Sequence, residues 1–278
     1  MTRQAAWRRL LQNKAAWLPL TILASVFLLA LFAPWISPYS PYEMAPDRLL
    51  EAPSWSHWAG TDRFGRDVIS RLIFGARIAL QVAFSAVCLA LILGSILGMV
   101  AAYFGGKIDW FLARSMDVLL SLPEVLLALL AIAVLGPSQR NLVIAIAIVY
   151  TPLFARIARG ATLSARQETY VEASILLGGS AIYNMGRHIL PNISGPLLVQ
   201  CSLSLAFAVL AEAALSFLGF GVEPDVPSWG MMLKSGKDWM EEAWWLASFP
   251  GVILTALVFS FHQLGEQLQK LIQATNTH

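Results

Sequence analysis

Three stretches of this chain run too long without charge to sit in a soluble domain. Lys14 and Glu43 bound 28 residues with no acid or base, Leu80 to Phe104 is a second such run of 25, and Ala243 to Gly265 carries only His262. A helix of about 20 apolar residues covers the roughly 30 Å hydrocarbon layer of a bilayer, so each run predicts a membrane span. Composition agrees, with 57% of the 278 residues hydrophobic and 13% charged, where soluble domains carry roughly 25% charge.

Three weaker segments complete the count. Val118 to Gln139 is broken only by Glu124, and Ile193 to Val222 only by Glu212. Asn141 to Ala155 is short, but Arg140 and Arg156 at its ends can snorkel to the two surfaces. The fold expected is all-α: a polytopic membrane protein with six transmembrane helices at about 17–36, 80–104, 115–136, 140–158, 195–221 and 244–264. Cys88 and Cys201 fall inside apolar segments without CxxC spacing and read as small apolar fillers. Histidine is scarce and scattered, so neither a metal site nor a catalytic residue is expected.

Basic residues set the orientation. With a cytoplasmic N-terminus the inside segments 1–16, 105–117, 156–192 and 265–278 hold 11 of the 19 Lys and Arg. The bias sharpens at the first span, where Arg3, Arg8, Arg9 and Lys14 face no base before Arg48. The basic start followed by an apolar core resembles a cleaved signal peptide. That core is too long, however, and Pro34-Trp35 follows its one small-residue site, so retention is expected. The tryptophans, Trp7 aside, fall near predicted span ends or in outside loops, as interfacial anchors do. The organisation predicted is a cytoplasmic segment 1–16, a first span 17–36 and an outside loop 37–79. A core of five spans follows over 80–264, containing a cytoplasmic loop 159–192, and then a cytoplasmic tail 265–278.

Two loops carry the unusual chemistry. Outside, Gly60-Thr61-Asp62 and Gly65-Arg66-Asp67 alternate flexible backbone with charge. Asp67 is placed to cap an amphipathic helix whose stripe of Val68, Leu72 and Gly75-Ala76 predicts a connector along the membrane surface. Inside, Gln167 to Leu177 reads as a short helix broken by Gly178-Gly179. Ser180 caps a second helix through His188, stopped by Pro191. Glu168 and Glu172 share a helix face but lie far from His188, and no nucleophile elbow or phosphate loop accompanies them. Two angled helices projecting from the membrane suit the groove of another protein better than they suit hydrolysis.

The inner loop resembles the cytoplasmic "EAA" loop of ATP-binding-cassette (ABC) importer permeases, on Tyr170, Glu172-Ala173-Ser174, Gly178 and His188-Ile189-Leu190-Pro191-Asn192. The outside GTDRFGRD at 60–67, the run Glu212 to Gly221 and Pro227-Ser228-Trp229-Gly230 resemble the peptide, opine and nickel branch of the binding-protein-dependent inner membrane components. Specifically, they resemble its second permease subunit. The likeness covers nearly the whole length. It implies a type I importer (MetI-like) core in the cell inner membrane, with both termini cytoplasmic. It also implies a heterodimer with a homologous permease, two cytoplasmic ATP-binding subunits and a periplasmic solute-binding protein. ATP and Mg would be used by the partner ATPases, with no cofactor bound by this chain; no nucleic-acid partner is implied.

Ser174 and Ile175 depart from the family's loop pattern. So do His262, Gly265-Glu266, Gln269 and Lys270 in the tail. Glu124, after the kinking Pro123, stands as a carboxylate facing the path or a salt-bridge partner on the other permease; Glu212 is placed to order the loop after the fifth span. Peptides are the expected cargo, with nickel or a metal chelate as the alternative. A self-contained secondary transporter would show broken helices in both halves and internal symmetry, which the chain lacks.

Overall fold

The computed structural model describes residues 14–276, with side-chain surroundings for 16–270. The N-terminal segment expected at 1–16, with Arg3, Trp7, Arg8 and Arg9, lies almost wholly outside the described residues, as does the end of the tail. Among the described residues the regular structure is helical. The first elements are α1 (Lys14–Leu31) and the single turn α2 (Ala33–Ile36), with Pro34 in the first turn of α2. Leu18, Phe27, Leu28, Leu31 and Trp35 all face outward, the pattern of a helix solvated by lipid.

The long helix α3 (Val68–Phe104) begins at Asp67, whose carboxylate accepts from the Ser70 amide at 2.8 Å, and ends at Gly105 with φ 67°. Its 37 residues span about 55 Å. This corrects the expectation of a separate surface helix ahead of a span at 80–104: residues 68–79 and 80–104 are one helix. The buried stripe of Val68, Leu72, Ala76 and Ala79 runs in register into Ala83, Ala86 and Ala90. No proline interrupts it, and Gly75 makes room for the close approach of Trp229, whose Cδ1 would stand 2.6 Å from a Cβ there.

The third predicted span is also corrected. The 115–136 segment is not one helix. Instead α4 (Gly106–Leu120) and α5 (Glu124–Leu135) meet at 97°. Pro123 has no amide to donate and its ring would strike the carbonyl one turn back, so the helix cannot continue through it. The amphipathic α4 is strapped to α6 (Gln139–Arg166) by two ion pairs, Arg159 to Asp109 at 2.5 Å and Arg156 to Asp117 at 3.1 Å. Ser138 caps α6, and the Asn141 side chain donates to Leu135 O and Gly136 O, tying the end of α5 to the start of α6.

Beyond Arg166 come α7 (Thr169–Leu176), the short α8 (Ala181–Tyr183), a π-helical turn (Asn184–Ile189) and α9 (Leu190–Leu218). The chain closes with α10 (Trp229–Asp238) and α11 (Trp245–Asn276). By length and composition four stretches can cross a bilayer: Val68–Phe104, Gln139–Arg166, Ala181–Leu218 and Trp245–Lys270. The bent α4–α5 pair makes a fifth, while the described apolar part of α1, Ala16–Leu31, is shorter. Among the described residues the count is therefore four or five, not the six expected from the sequence, because α1 is too short and the third segment is bent.

The centre of the molecule is the α3–α6 contact. Ala86, Ala90, Gly94, Gly98 and Ala102 repeat every four residues on one buried face of α3. A Cβ added at Gly98 would stand 2.3 Å from Ala155 O and 2.8 Å from Ala158 Cβ; one at Gly94 would stand 2.5 Å from Thr151 O. Without a hydrophobic drive between helices in lipid, such close backbone approach carries the association. Gly98→Val should therefore destabilise the protein by about 1–3 kcal/mol, read as a lower melting temperature in detergent. Gly160, also helical, has open space around its Cβ position. Gly160→Ala should match or slightly exceed the parent, since removing a mid-helix glycine gains roughly 0.5–1 kcal/mol.

Candidate functional site

The loop at 159–192 folds as a knob of two short helices. α7 presents Glu172 and Ala173 outward and buries Val171. Its end is closed by Gly178, whose φ of 86° lies in the left-handed region, with Leu177, Gly178 and Gly179 amides returning to the carbonyls of Ala173, Ile175 and Ser174. The close approach is at the neighbouring glycine: a Cβ on Gly179 would stand 2.6 Å from Ser174 Oγ, whereas nothing lies within 4 Å of one on Gly178. Ser180 then caps α8 by accepting from the Tyr183 amide.

Asn184, fully buried, holds these pieces together, and the sequence reading missed it. Its amide donates to Tyr103 Oη of α3 at 3.1 Å and to Gly179 O at 3.0 Å, while its Oδ1 accepts from Ser174 Oγ at 2.6 Å. The departure from the family pattern at Ser174 thus has a structural use. The available signal was an amide side chain four residues after the capping Ser180.

Pro191 does not stop the second helix, contrary to the sequence expectation. It lies in the first turn of α9, and helix runs unbroken from Ala181 to Leu218. The π turn explains this. A proline removes one amide and crowds the carbonyl four residues back, and widening to i→i+5 bonding, as in Leu190 N to Met185 O, relieves that crowding. His188 packs between the rings of Tyr170 and Tyr183 at 5.8 Å and 5.4 Å, and Asn192 bonds both Tyr170 Oη and His188 O. Tyr170, His188 and Pro191 therefore form the root of the knob. Its rim is apolar: Leu176, Leu177 and Ile182 are 86%, 88% and 82% exposed.

Ahead of α3, GTDRFGRD folds into a closed polar knot. Asp62 accepts from the amides of Phe64 and Arg66 and from Arg66 Nε at 2.7 Å. Asp67 receives Ser70 on one oxygen and His57 Nδ1 at 2.9 Å on the other, with Tyr39 stacked on the imidazole. Thr61 Oγ1 donates to Arg48 O, and its carbonyl accepts from Trp245 Nε1. Gly65 has φ 73°, and a Cβ there would stand 1.9 Å from Ala45 O, so only glycine closes the turn.

Beside the knot, Glu212 is fully buried in α9, and its Oε1 accepts from Ser216 at 2.8 Å and Ser228 at 3.1 Å. Ser228 caps α10, and the adjacent Trp229 donates to Leu72 O of α3 at 3.0 Å. Glu124 lies elsewhere. It is exposed at the start of α5 and lines a cavity between α5, α6 and α9.

Residues 90–273 match the family described as binding-protein-dependent transport system inner membrane component, and residues 2–53 match the N-terminal TM domain of oligopeptide transport permease C. The chain is 42% identical over 267 residues to the dipeptide transport system permease protein DppC of Alkalihalophilus pseudofirmus, covering 95% of this chain and 87% of that one. It is also 42% identical to the di/tripeptide permease DppC of Pseudomonas aeruginosa, covering 95% and 89%, and to the dipeptide permease DppC of Escherichia coli, covering 96% and 91%. Among solved structures, the MetNI methionine ABC transporter superposes with a TM-score of 0.59 at 16% identity, over 72% of this chain and 96% of that one. That likeness speaks to the all-α fold alone. The chain belongs to the binding-protein-dependent transport system inner membrane component family, as a multi-pass, non-catalytic permease subunit of an ABC importer.

Proposed function

We propose that this permease carries peptides inward as the second subunit of a heterodimer with a homologous permease. Two ATP-binding subunits on the cytoplasmic side and a periplasmic solute-binding protein complete the system. The cargo assignment draws on the dipeptide and di/tripeptide transport named for the relatives. In this reading the chain crosses the inner membrane six times, with α1 and α2 together making the first crossing and the bent α4–α5 pair the third. Segments 1–16 and 265–278 and the knob within 159–192 are cytoplasmic, and the loop 37–79 is outside. The GTDRFGRD knot and Glu212 are structural in it, holding α10 and the outer loop on α3 and α9.

The knob is the coupling element, and one observation carries that assignment: three aliphatic side chains more than four-fifths exposed on a root fixed by Asn184. An apolar rim on a rigid two-helix projection calls for a groove to cover it. Tyr170, His188 and Pro191 set its angle, Ser174 braces it, and Glu172, Ala173 and Gly178 lie on or beside the docking face.

Leu177→Asp should weaken co-purification of the ATPases about tenfold or more, because burying a leucine stabilises by roughly 1.5–3 kcal/mol, while membrane insertion stays at the parental level. Gly178→Val should also cut transport, since a β-branched residue is strained at that φ. If both variants pair with the ATPases and transport at the parental rate, the docking assignment is wrong.

Orientation is checked by single cysteines in a background lacking Cys88 and Cys201. In intact cells Ser54→Cys and Lys237→Cys should react with a membrane-impermeant thiol reagent, and Ser164→Cys should not. Reaction at position 164 from outside would overturn the inside placement of the knob.

A further inference from the structure

The cavity beside Glu124 has a chemistry that nothing described so far uses. It is about 360 Å³, walled by Tyr150 of α6 and by Phe207, Leu210 and Ala211 of α9, and Glu124 is the one charged residue in its lining. Small-molecule pockets run from roughly 300 to 1,000 Å³ and are mostly apolar with a few placed polar groups. A carboxylate in the first turn of a helix is by itself unremarkable, being favoured by the helix dipole. Tyr150 adds an independent observation. Only 3% exposed, it lines the cavity within electrostatic reach of Glu124, and its hydroxyl takes no hydrogen bond among the described residues. Glu124 likewise has no ion-pair or hydrogen-bond partner among them. An acid in a membrane-embedded segment needs a counter-charge or a wet path, and the apolar walls leave the first of these unmet.

We propose that this cavity is a transit station for the cargo's ammonium group, with Glu124 as its counter-charge, the Tyr150 hydroxyl as a hydrogen-bond acceptor and the Phe207–Leu210 wall as the surface for its apolar part. The chemical class is a small cation with an apolar body, which a peptide with a free amino terminus satisfies. The faces of Tyr150 and Phe207 add cation–π attraction. This rests on the reading of the chain as a peptide importer, so the test has one arm that does not depend on the cargo.

In that arm, the assembled complex carries Ala211→Cys with both native cysteines replaced by serine. Reaction rates are compared for a 2-aminoethyl reagent, whose primary ammonium can donate hydrogen bonds, and a 2-sulfonatoethyl methanethiosulfonate reagent, each normalised to a small free thiol. The cationic reagent should react about tenfold faster or more, and adding Glu124→Gln should remove the preference. Tyr150→Phe should reduce it about threefold, the loss of a single hydrogen bond. A preference that is absent, or that Glu124→Gln leaves unchanged, overturns the proposal.

In the second arm, ATP-driven uptake of alanyl-alanine is measured in vesicles holding the complete transporter. Glu124→Gln should lower uptake at subsaturating peptide about tenfold, with unchanged complex yield, and Glu124→Asp should recover part of it. A fall in complex yield that accounts for the lost uptake would assign Glu124 to an ion pair with the partner permease and overturn the proposal, as would parental uptake in Glu124→Gln. If the parental complex fails to take up the peptide at all, the cargo reading falls, while the labelling ratio still decides the cavity.

Discussion

The close approach of α3 and α6 is the contact on which the rest of the molecule depends. In lipid the tails are as apolar as leucine, so helices gain little by hiding leucines from them. What holds two helices is how near their backbones come. Gly94 and Gly98 let α3 meet the carbonyls of Thr151 and Ala155 directly, and the alanines to either side extend the same face. The one rod also reaches both ends of the molecule. Near its start the carbonyl of Leu72 receives Trp229 and Gly75 leaves room for the indole Cδ1 and Nε1; near its finish Tyr103 receives Asn184. The knob and α10 are thus both referenced to a single helix.

The polar chemistry divides in two. Asp62, Asp67, Arg66 and Arg71 are buried and close on one another or on backbone groups of the loop before α3, whereas Glu212, buried in α9, leaves its Oε2 without a hydrogen-bond partner among the described residues. Glu124, unpaired among the described residues, faces a cavity instead. Paired and unpaired acids stand out equally in a string of apolar letters.

Much of the architecture was legible from charge-free runs, because burial of a helical backbone in lipid needs a minimum apolar length and little else. Helices cover most of the three long runs and of the segments at 141–155 and 193–222, with 37–42 and 219–222 the main stretches outside them. What hydropathy cannot report is where a helix bends or fails to stop. The run through residues 118–139 conceals a 97° turn because Leu119 to Leu122 are as apolar as a span interior, and only Pro123 betrays it. Conversely, the change from amphipathic to apolar at residue 80 looked like a boundary, yet the buried stripe crosses it in register. Proline misled in the other direction at position 191, where a π turn absorbs the missing amide. The family loop was recognisable from Glu172, Gly178 and Pro191, but Asn184 was not, since its importance lies in reaching Tyr103, 81 residues away.

That π turn has a mechanical consequence. With no flexible linker between Ala181 and Leu218, the 38 residues act as a lever whose short arm is the knob and whose long arm crosses the molecule to Glu212. At about 1.5 Å per residue such a lever is about 57 Å long, so a tilt of about 10° at one end sweeps the other through about 10 Å. The wide turn, just beyond the root, is the one stretch of it bonded i→i+5 rather than i→i+4. Displacement at one end is thus carried to the other through a single helix with one wide turn in it.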